Sequence, residues 1–414
     1  MKTAGSDRGS RMTAAQVATV GVCLAMAVLD GFDAQTLAYA APSITTEFGF
    51  SPGALGVVFS ASLVGMALGS VLFGMLVDRL GRKAGLIASV VLFGLATLTI
   101  PALATSVETF LLIRFIAGIG MGGVAPSFIA LVSENVPAHV RSRAVMLAVG
   151  CVSLGAFLGG LVSRAAIPAY GWRSIFIIGG LLPLVCAVLA AVVVRGVATR
   201  PRSTVDHTST SPAVLFREGR ATSTIALWLV YFLNLLVMFA LLNWLPTLLV
   251  EAGLDAGTAF IGSSLFAAGG FVGGILLGFR IDRRGQAHAT LVGGYLIGMV
   301  GIGLVLLTTN TPLLMAGILL IGVGIVGGQS GLTILAVSLY PLPIRGTGIG
   351  WAYAVGRTGS IAGPALNGVL VAGGLGATSI IGLSALPLVA VALGVIALAA
   401  LRSPAPADAE VAVG

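Results

Sequence analysis

Nearly the whole chain divides into apolar segments, each long enough to cross a membrane. The hydrocarbon core of a bilayer is roughly 30 Å thick, and an α-helix spans it with about 20 residues. Only 9% of the residues are charged and the mean hydropathy is +1.08, whereas a soluble domain carries about 25% charged residues. The sequence therefore predicts an all-α polytopic membrane protein with twelve transmembrane helices, near residues 17–38, 54–77, 85–104, 109–132, 144–163, 174–195, 223–245, 259–279, 290–308, 313–336, 348–371 and 378–401.

The basic residues predict how these helices are oriented. All but four of the 22 Lys and Arg residues lie in the N-terminal tail, in loops that follow even-numbered helices, or in the C-terminal tail; the exceptions are Arg114, Arg164, Arg173 and Arg357. Because positively charged loops remain in the cytoplasm, we expect cytoplasmic tails at 1–16 and 402–414 and a cytoplasmic linker at 196–222. The first tail lacks the apolar core of a signal peptide. Lipid headgroups explain the net charge of +8, so no nucleic acid partner is expected.

The two halves of the chain repeat one plan. A Gly-x-x-x-Asp-Arg-x-Gly motif that begins at Gly74 recurs at Gly278, displaced by 204 residues, and the same displacement carries Asp30 onto Asn234. One register over separate motifs predicts two pseudo-symmetric six-helix bundles, at 17–195 and 223–401, related by an axis along the membrane normal. In such an arrangement the binding site lies between the bundles, near the bilayer midplane.

Motifs of enzymes and ATP-driven pumps are missing from the sequence. The glycines from Gly118 to Gly123 have the Gly-x-Gly-x-x-Gly spacing of a dinucleotide site, but no strand precedes them and the pattern recurs at Gly322. Small residues that allow close helix packing explain both copies. The three cysteines fall inside apolar segments and predict neither disulfides nor a metal site. We therefore expect neither an enzyme nor a cofactor.

Two carboxylates lie inside the first apolar segment. Asp30 and Asp33 are spaced i, i+3, so they project from one face of the helix. A charge at membrane depth costs several kcal/mol, about 2.5–3.5 on insertion scales, unless it is paired or faces water. All three histidines fall in predicted cytoplasmic loops. We therefore expect any proton relay across the membrane to use Asp30 and Asp33.

Two arginines also lie at membrane depth. Counting about 1.5 Å per residue from the helix ends places Arg114 at nearly the same height as Asp33, so we expect the two to pair or to share water. A purely structural arginine is the alternative. Arg357 in the eleventh helix lies near the midplane, where a guanidinium can hold a carboxylate bidentately. Its alternative is a packing residue that binds carbonyl groups.

Polar and aromatic side chains of the second half are candidates for lining a cavity. Packing or a position at the membrane interface is the alternative for each aromatic residue. The candidate residues are Tyr231, Asn234, Asn243 and Trp244 on the seventh helix, Gln329 on the tenth and Tyr353 on the eleventh.

The loop after the second helix, Gly74-Met-Leu-Val-Asp-Arg-Leu-Gly-Arg-Lys83, resembles the signature of the major facilitator superfamily. The resemblance implies the fold of that superfamily, with a cytoplasmic charge network that latches the outward-open state. It places Asp78, Arg79, Arg82, Glu134, Arg141 and Arg143 in this latch, and Asp282 and Arg345 in a weaker counterpart whose loop lacks the basic pair.

Asp30-Gly-Phe-Asp33, with Arg114-Phe-x-x-Gly-x-Gly and Trp244-Leu-Pro, resembles the aromatic acid:proton symporters of that superfamily. The resemblance implies import of a benzoate-type acid together with protons across the bacterial inner membrane, with Asp30 and Asp33 coupling the proton. Its partners would be a small aromatic carboxylate, H⁺ and the lipid bilayer, and we expect the chain to work as a monomer. No residue selects one acid among benzoate, hydroxybenzoates and their relatives.

Three other function classes compete with this interpretation. A proton-coupled exporter of drugs or a carrier of another organic anion would share the fold. The exporter motif of the fifth helix combines glycines with a proline, and Gly155-Ala-Phe-Leu-Gly-Gly160 has the glycines of that motif but not its proline. A membrane receptor would need a signalling domain, and the linker is too short to be one. A membrane enzyme would need a nucleophile and a base, which the sequence does not offer.

Overall fold

The computed structural model describes residues 12–194, 212–341 and 344–401, apart from the side chains of Asp78, Ala138 and Ser142. Most of the two predicted tails and of the predicted linker lies outside these ranges. The described residues form helices and no strand, which confirms the predicted all-α fold. The helices are α1 (Ala14–Phe48), α2 (Pro52–Leu80), α3 (Arg82–Leu103), α4 (Val107–Asn135), α5 (Arg141–Tyr170), α6 (Arg173–Val193), α7 (Ala221–Glu251), α8 (Ala256–Arg284), α9 (Ala287–Leu307), α10 (Thr311–Leu339), α11 (Arg345–Ala372), α12 (Ala377–Leu383) and α13 (Ala385–Ala400).

Most helices extend a few residues beyond the predicted apolar segments, and α1 extends furthest. Its start is fixed by a capping box, in which the Thr13 hydroxyl accepts from the Gln16 backbone and the Gln16 side chain accepts from the Thr13 backbone. It continues through Pro42 to Phe48, ten residues past the predicted end, and stops at Gly49, whose φ is 66°. The extension persists because Tyr39 and its neighbours are buried against other helices.

Eleven spans in the described residues are long and apolar enough to cross a membrane, α12 and α13 together forming the last of them. The helix α11 is long enough but is less apolar, because it contains Arg357 and many glycines. It packs closely on α7: a Cβ at Gly359 would lie 2.2 Å from the carbonyl oxygen of Phe232. One side of α11 therefore packs against α7, and with α11 the described residues make twelve helical passes.

The two halves repeat the same helix pairings. In the first half α1 packs against α5 and α6, α2 against α4, and α3 against α4 and α6. In the second half α7 packs against α11 and α13, α8 against α10, and α9 against α10 and α13. Each pairing recurs in the second half, where α13 takes the place of α6, as the sequence repeat predicts. The halves meet where α2 packs on α11, α5 on α8, and α1 on α7.

We call the side of the bundle that carries Arg79, Arg82 and Arg283 the basic face, and the other side the opposite face. Hydrogen bonds between described residues of the two halves lie toward the opposite face. There the Ser60 hydroxyl donates to the carbonyl of Ile361 at 2.7 Å, and the Ser264 hydroxyl donates to the carbonyl of Phe157 at 2.9 Å. These hydrogen bonds therefore join the two halves on the opposite face.

Candidate functional site

A buried ion pair connects α1 with α4. The guanidinium of Arg114 donates to Asp33 at 3.3 Å, and the side chains are 2% and 0% exposed. The Thr97 hydroxyl of α3 donates to the other carboxylate oxygen at 3.1 Å, and Nε of Arg114 donates to the Ser62 hydroxyl of α2 at 3.0 Å. The predicted pairing of Asp33 with Arg114 is confirmed. Four helices thus share one buried polar cluster, as buried charges require.

Close contact between α2 and α4 places Ser62 beside Arg114. A Cβ at Gly118 would lie 2.2 Å from the backbone carbonyl oxygen of Ser62. A Cβ at Gly322, its counterpart in the second half, would lie 2.1 Å from the carbonyl oxygen of Phe266. Both glycine patterns therefore serve close helix packing, as the sequence indicated.

Asp30 lies one turn from Asp33 but has a different environment. It is 6% exposed, and its Oδ1 has no hydrogen-bond partner among the described residues. It interacts electrostatically with Asp33 and, across the boundary between the halves, with Arg357. Arg357 is half-buried and forms no ion pair within the described part of the chain. One carboxylate of the pair is therefore fully engaged, whereas the other retains a free acceptor.

A cavity of about 200 Å³ lies between the halves beside this cluster. Its wall is mostly apolar, with aromatic rings from both halves, Phe59 of α2 and Phe239 of α7. Its polar lining is contributed by Asp30, Gln35, Ser62, Arg114, Ser153 and Asn243. Three of the predicted site residues, Asp30, Arg114 and Asn243, thus line a single cavity. An apolar pocket with a few polar groups is the usual form of a site for a small organic molecule.

Sequence reasoning missed Gln35. It is 1% exposed and its Oε1 has no hydrogen-bond partner among the described residues. A buried amide in an apolar segment is itself a signal, because each unsatisfied polar group in the membrane costs free energy.

Two other predicted site residues, Asn234 and Gln329, form a separate polar network in the second half. The Asn234 amide donates to Oε1 of Gln329 at 2.7 Å and accepts from the Tyr295 hydroxyl at 3.1 Å. The network connects α7, α9 and α10, and Tyr295 was absent from the predicted set. Neither Asn234 nor Gln329 lines the cavity described above. Asn234, the counterpart of Asp30 in the second half, thus takes part in contacts that hold three helices together.

The predicted aromatic residues lie around this network and at the contact between the halves. The rings of Tyr231 and Tyr353 are 5.3 Å apart, and the Tyr353 hydroxyl is 2.8 Å from that of Thr333. The Trp244 indole donates to the carbonyl of Pro364 at 2.9 Å, and its ring packs edge-on against Phe59 across the boundary. Trp244 therefore joins the halves beside the cavity.

The predicted charge network on the basic face is only partly described. Arg82 and Glu134 form an ion pair. The side chain of Asp78 lies outside the described residues. Arg79, Arg141, Arg143 and Asp282 are exposed and form no ion pair with another described side chain, and Nε of Arg345 donates to the carbonyl of Tyr340 at 3.2 Å. The larger latch stays a prediction.

Residues 23–364 match the family described as Major Facilitator Superfamily. The chain belongs to that superfamily. Solved structures agree in fold: a nucleoside transporter superposes with a TM-score of 0.78 at 15% identity, over 93% of this chain and 99% of that one. A D-xylose–proton symporter gives a TM-score of 0.69 at 19% identity, over 92% and 96%. This member of the superfamily is a transporter and not an enzyme.

Relatives with higher identity are named for aromatic acids. The gallate transporter of Pseudomonas putida is 34% identical over 91% of this chain and 90% of its own length. The 3-(3-hydroxy-phenyl)propionate transporter of Escherichia coli is 35% identical over 93% and 94%. The 4-hydroxybenzoate transporter of Pseudomonas aeruginosa is 34% identical over 86% of each chain. The predicted resemblance to aromatic acid transporters is confirmed.

Proposed function

We propose that this superfamily member is a proton-coupled symporter that imports an aromatic carboxylic acid of the benzoate or hydroxybenzoate class. It would work as a monomer in the inner membrane of a bacterium, with the basic face toward the cytoplasm. The names of its relatives support the substrate class. The observation that carries the coupling mechanism is the pair Asp30 and Asp33 beside a cavity between the two halves.

The two carboxylates have different roles in this proposal. Asp33 is held by Arg114 and Thr97, so its carboxyl group is engaged by residues of the first half alone. Asp30 has an unpartnered oxygen at the cavity and the charge of Arg357 nearby. A proton on Asp30 would remove the carboxylate charge that attracts Arg357. The Arg357 guanidinium, which has no ion-pair partner among the described residues, could then bind the substrate carboxylate. Proton and substrate would thus depend on each other.

Alternating access follows from the arrangement of the halves. With the basic face in the cytoplasm, the contacts of Ser60 with Ile361 and of Ser264 with Phe157 close the outer side. The structure then corresponds to an inward-facing state. Binding from outside would require these contacts to open and the basic face to close, which is the role that the resemblance gives to the network around Arg82 and Glu134.

Purified protein in proteoliposomes tests the proposal. We expect 4-hydroxybenzoate to accumulate when the lumen is alkaline relative to the outside, and the lumen to acidify as the acid enters. Asp30→Asn should abolish accumulation while the protein remains folded in the membrane, because the Oδ1 of Asp30 has no hydrogen-bond partner among the described residues. Glu108→Gln is the matched control, since Glu108 is an exposed acid outside the cavity. Undiminished gradient-driven accumulation by Asp30→Asn would overturn the coupling role.

A panel of substrates separates the proposal from its rivals. Benzoates, phenylacetates, sugars and cationic drugs are added in turn while the internal pH is recorded. Acidification by hydroxybenzoates alone supports aromatic acid symport. Alkalinisation of the lumen with cationic drugs would instead indicate an exchanger, and a response to another organic anion would replace the substrate class.

A further inference from the structure

We propose that Gln35 is a specificity-determining residue whose side-chain carbonyl accepts a hydrogen bond from a ring hydroxyl of the bound acid. This inference rests on the proposed function, because it assumes that an aromatic acid occupies the cavity. It adds a distinction that the proposed function leaves open, between hydroxylated aromatic acids and plain benzoate.

The first argument is the unsatisfied state of the amide. Gln35 is 1% exposed, it lines the cavity, and its Oε1 has no donor among the described residues. Its neighbour Thr36 shows the usual solution for a polar side chain in an apolar helix, since its hydroxyl donates to the carbonyl of Phe32 at 3.0 Å. A buried acceptor without a donor is costly, so a ligand that supplies a donor is favoured over one that does not.

The second argument is the spacing along α1. Asp30 and Gln35 both line the cavity and are five residues apart, which corresponds to about 7.5 Å along the helix axis. A benzene ring with a carboxyl group at one end and a hydroxyl at the meta or para position has a comparable length. With the carboxyl group of the acid near Asp30, the ring hydroxyl would therefore lie near Gln35.

The third argument is the chemistry between these two ends. Phe59 and Phe239 contribute apolar walls to the cavity. In the internal repeat of 204 residues, Phe239 is the counterpart of Gln35. An aromatic ring thus fits between the polar ends. A neutral hydroxyl at the Gln35 end supplies the donor that its Oε1 lacks.

Binding of a substituent series to the wild-type protein in detergent tests the assignment without any mutation. We expect 3- or 4-hydroxybenzoate to bind roughly tenfold more tightly than benzoate, since one unmade buried hydrogen bond has about that effect. The matching methoxybenzoate should lose the preference, because a methoxy group accepts but cannot donate. Equal affinity for the hydroxy and methoxy acids at every ring position would overturn the assignment.

The variant Gln35→Met has nearly the same size and removes the acceptor. We expect this variant to bind benzoate with the wild-type affinity. Its affinities for hydroxybenzoate and benzoate should become about equal. Thr36→Val is the matched control: it removes a neighbouring hydroxyl that is already satisfied and does not line the cavity, so the preference should persist. A full preference in Gln35→Met would exclude the proposed contact.

Binding of both acids without discrimination by the wild type would refute the inference and leave the proposed function intact, whereas binding of neither would refute the proposed function.

Discussion

The guanidinium of Arg114 donates to the carboxylate of Asp33 at 3.3 Å, with both side chains almost completely withdrawn from solvent. The pair joins α1 to α4 within the first half. Removing one partner would leave the other charge buried and unpaired, which costs more than the pair contributes. This asymmetry makes the pair a sensitive point for mutation.

We expect Arg114→Met to destabilise the protein by about 3–5 kcal/mol, because the Asp33 charge loses its partner. The double variant with Asp33→Asn should recover much of that loss, since no uncompensated charge remains. Thermal unfolding in detergent of the two single variants and the double variant measures the coupling. Additive losses in the double variant would show that the two side chains do not depend on each other.

Asp30→Asn should leave the fold intact and uncouple transport. The Oδ1 of Asp30 has no hydrogen-bond partner among the described residues, so replacing the carboxylate by an amide removes no described bond at that atom. Without a titratable group there, we expect exchange of labelled for unlabelled substrate to continue while a proton gradient no longer drives accumulation. The two assays are run on the same proteoliposomes. Accumulation at the wild-type level would remove Asp30 from the coupling mechanism.

Arg82 and Glu134 form an ion pair on the basic face with side chains that are 29% and 36% exposed. A pair this accessible to water contributes at most about 1 kcal/mol. We therefore expect Glu134→Gln to change the free energy of unfolding by less than about 1 kcal/mol while it slows transport, if the pair serves the conformational change. The charge-swapped variant Arg82→Glu with Glu134→Arg should restore part of the rate. A large loss of stability in Glu134→Gln would mean that the pair is structural.

The sequence predicted the fold because its signals are periodic and repeated. Apolar segments of membrane length and a register of 204 residues specify twelve helices in two equivalent bundles. The Asp33–Arg114 pair was predictable from height alone, because few charges lie at membrane depth. Ser62, Thr97 and Gln35 were not predicted: they are single polar residues in apolar helices, and their roles depend on how each helix is rotated about its axis. That rotation is set by close packing at glycines and not by composition.

The glycines at the contact between α2 and α4 give a last, quantitative prediction. A Cβ at Gly118 would lie 2.2 Å from the carbonyl oxygen of Ser62, a backbone atom that cannot move aside without shifting its helix. We expect Gly118→Ala to destabilise the protein by about 1–3 kcal/mol, as overpacking does, and to weaken the Ser62–Arg114 hydrogen bond. Gly303→Ala in α9 is the matched control, because no described atom outside its own stretch of helix lies within 4 Å of its Cβ position. There the better helix propensity of alanine should stabilise the protein by up to about 1 kcal/mol. Opposite signs for the two substitutions in thermal unfolding would support the packing role of Gly118, and equal effects would refute it.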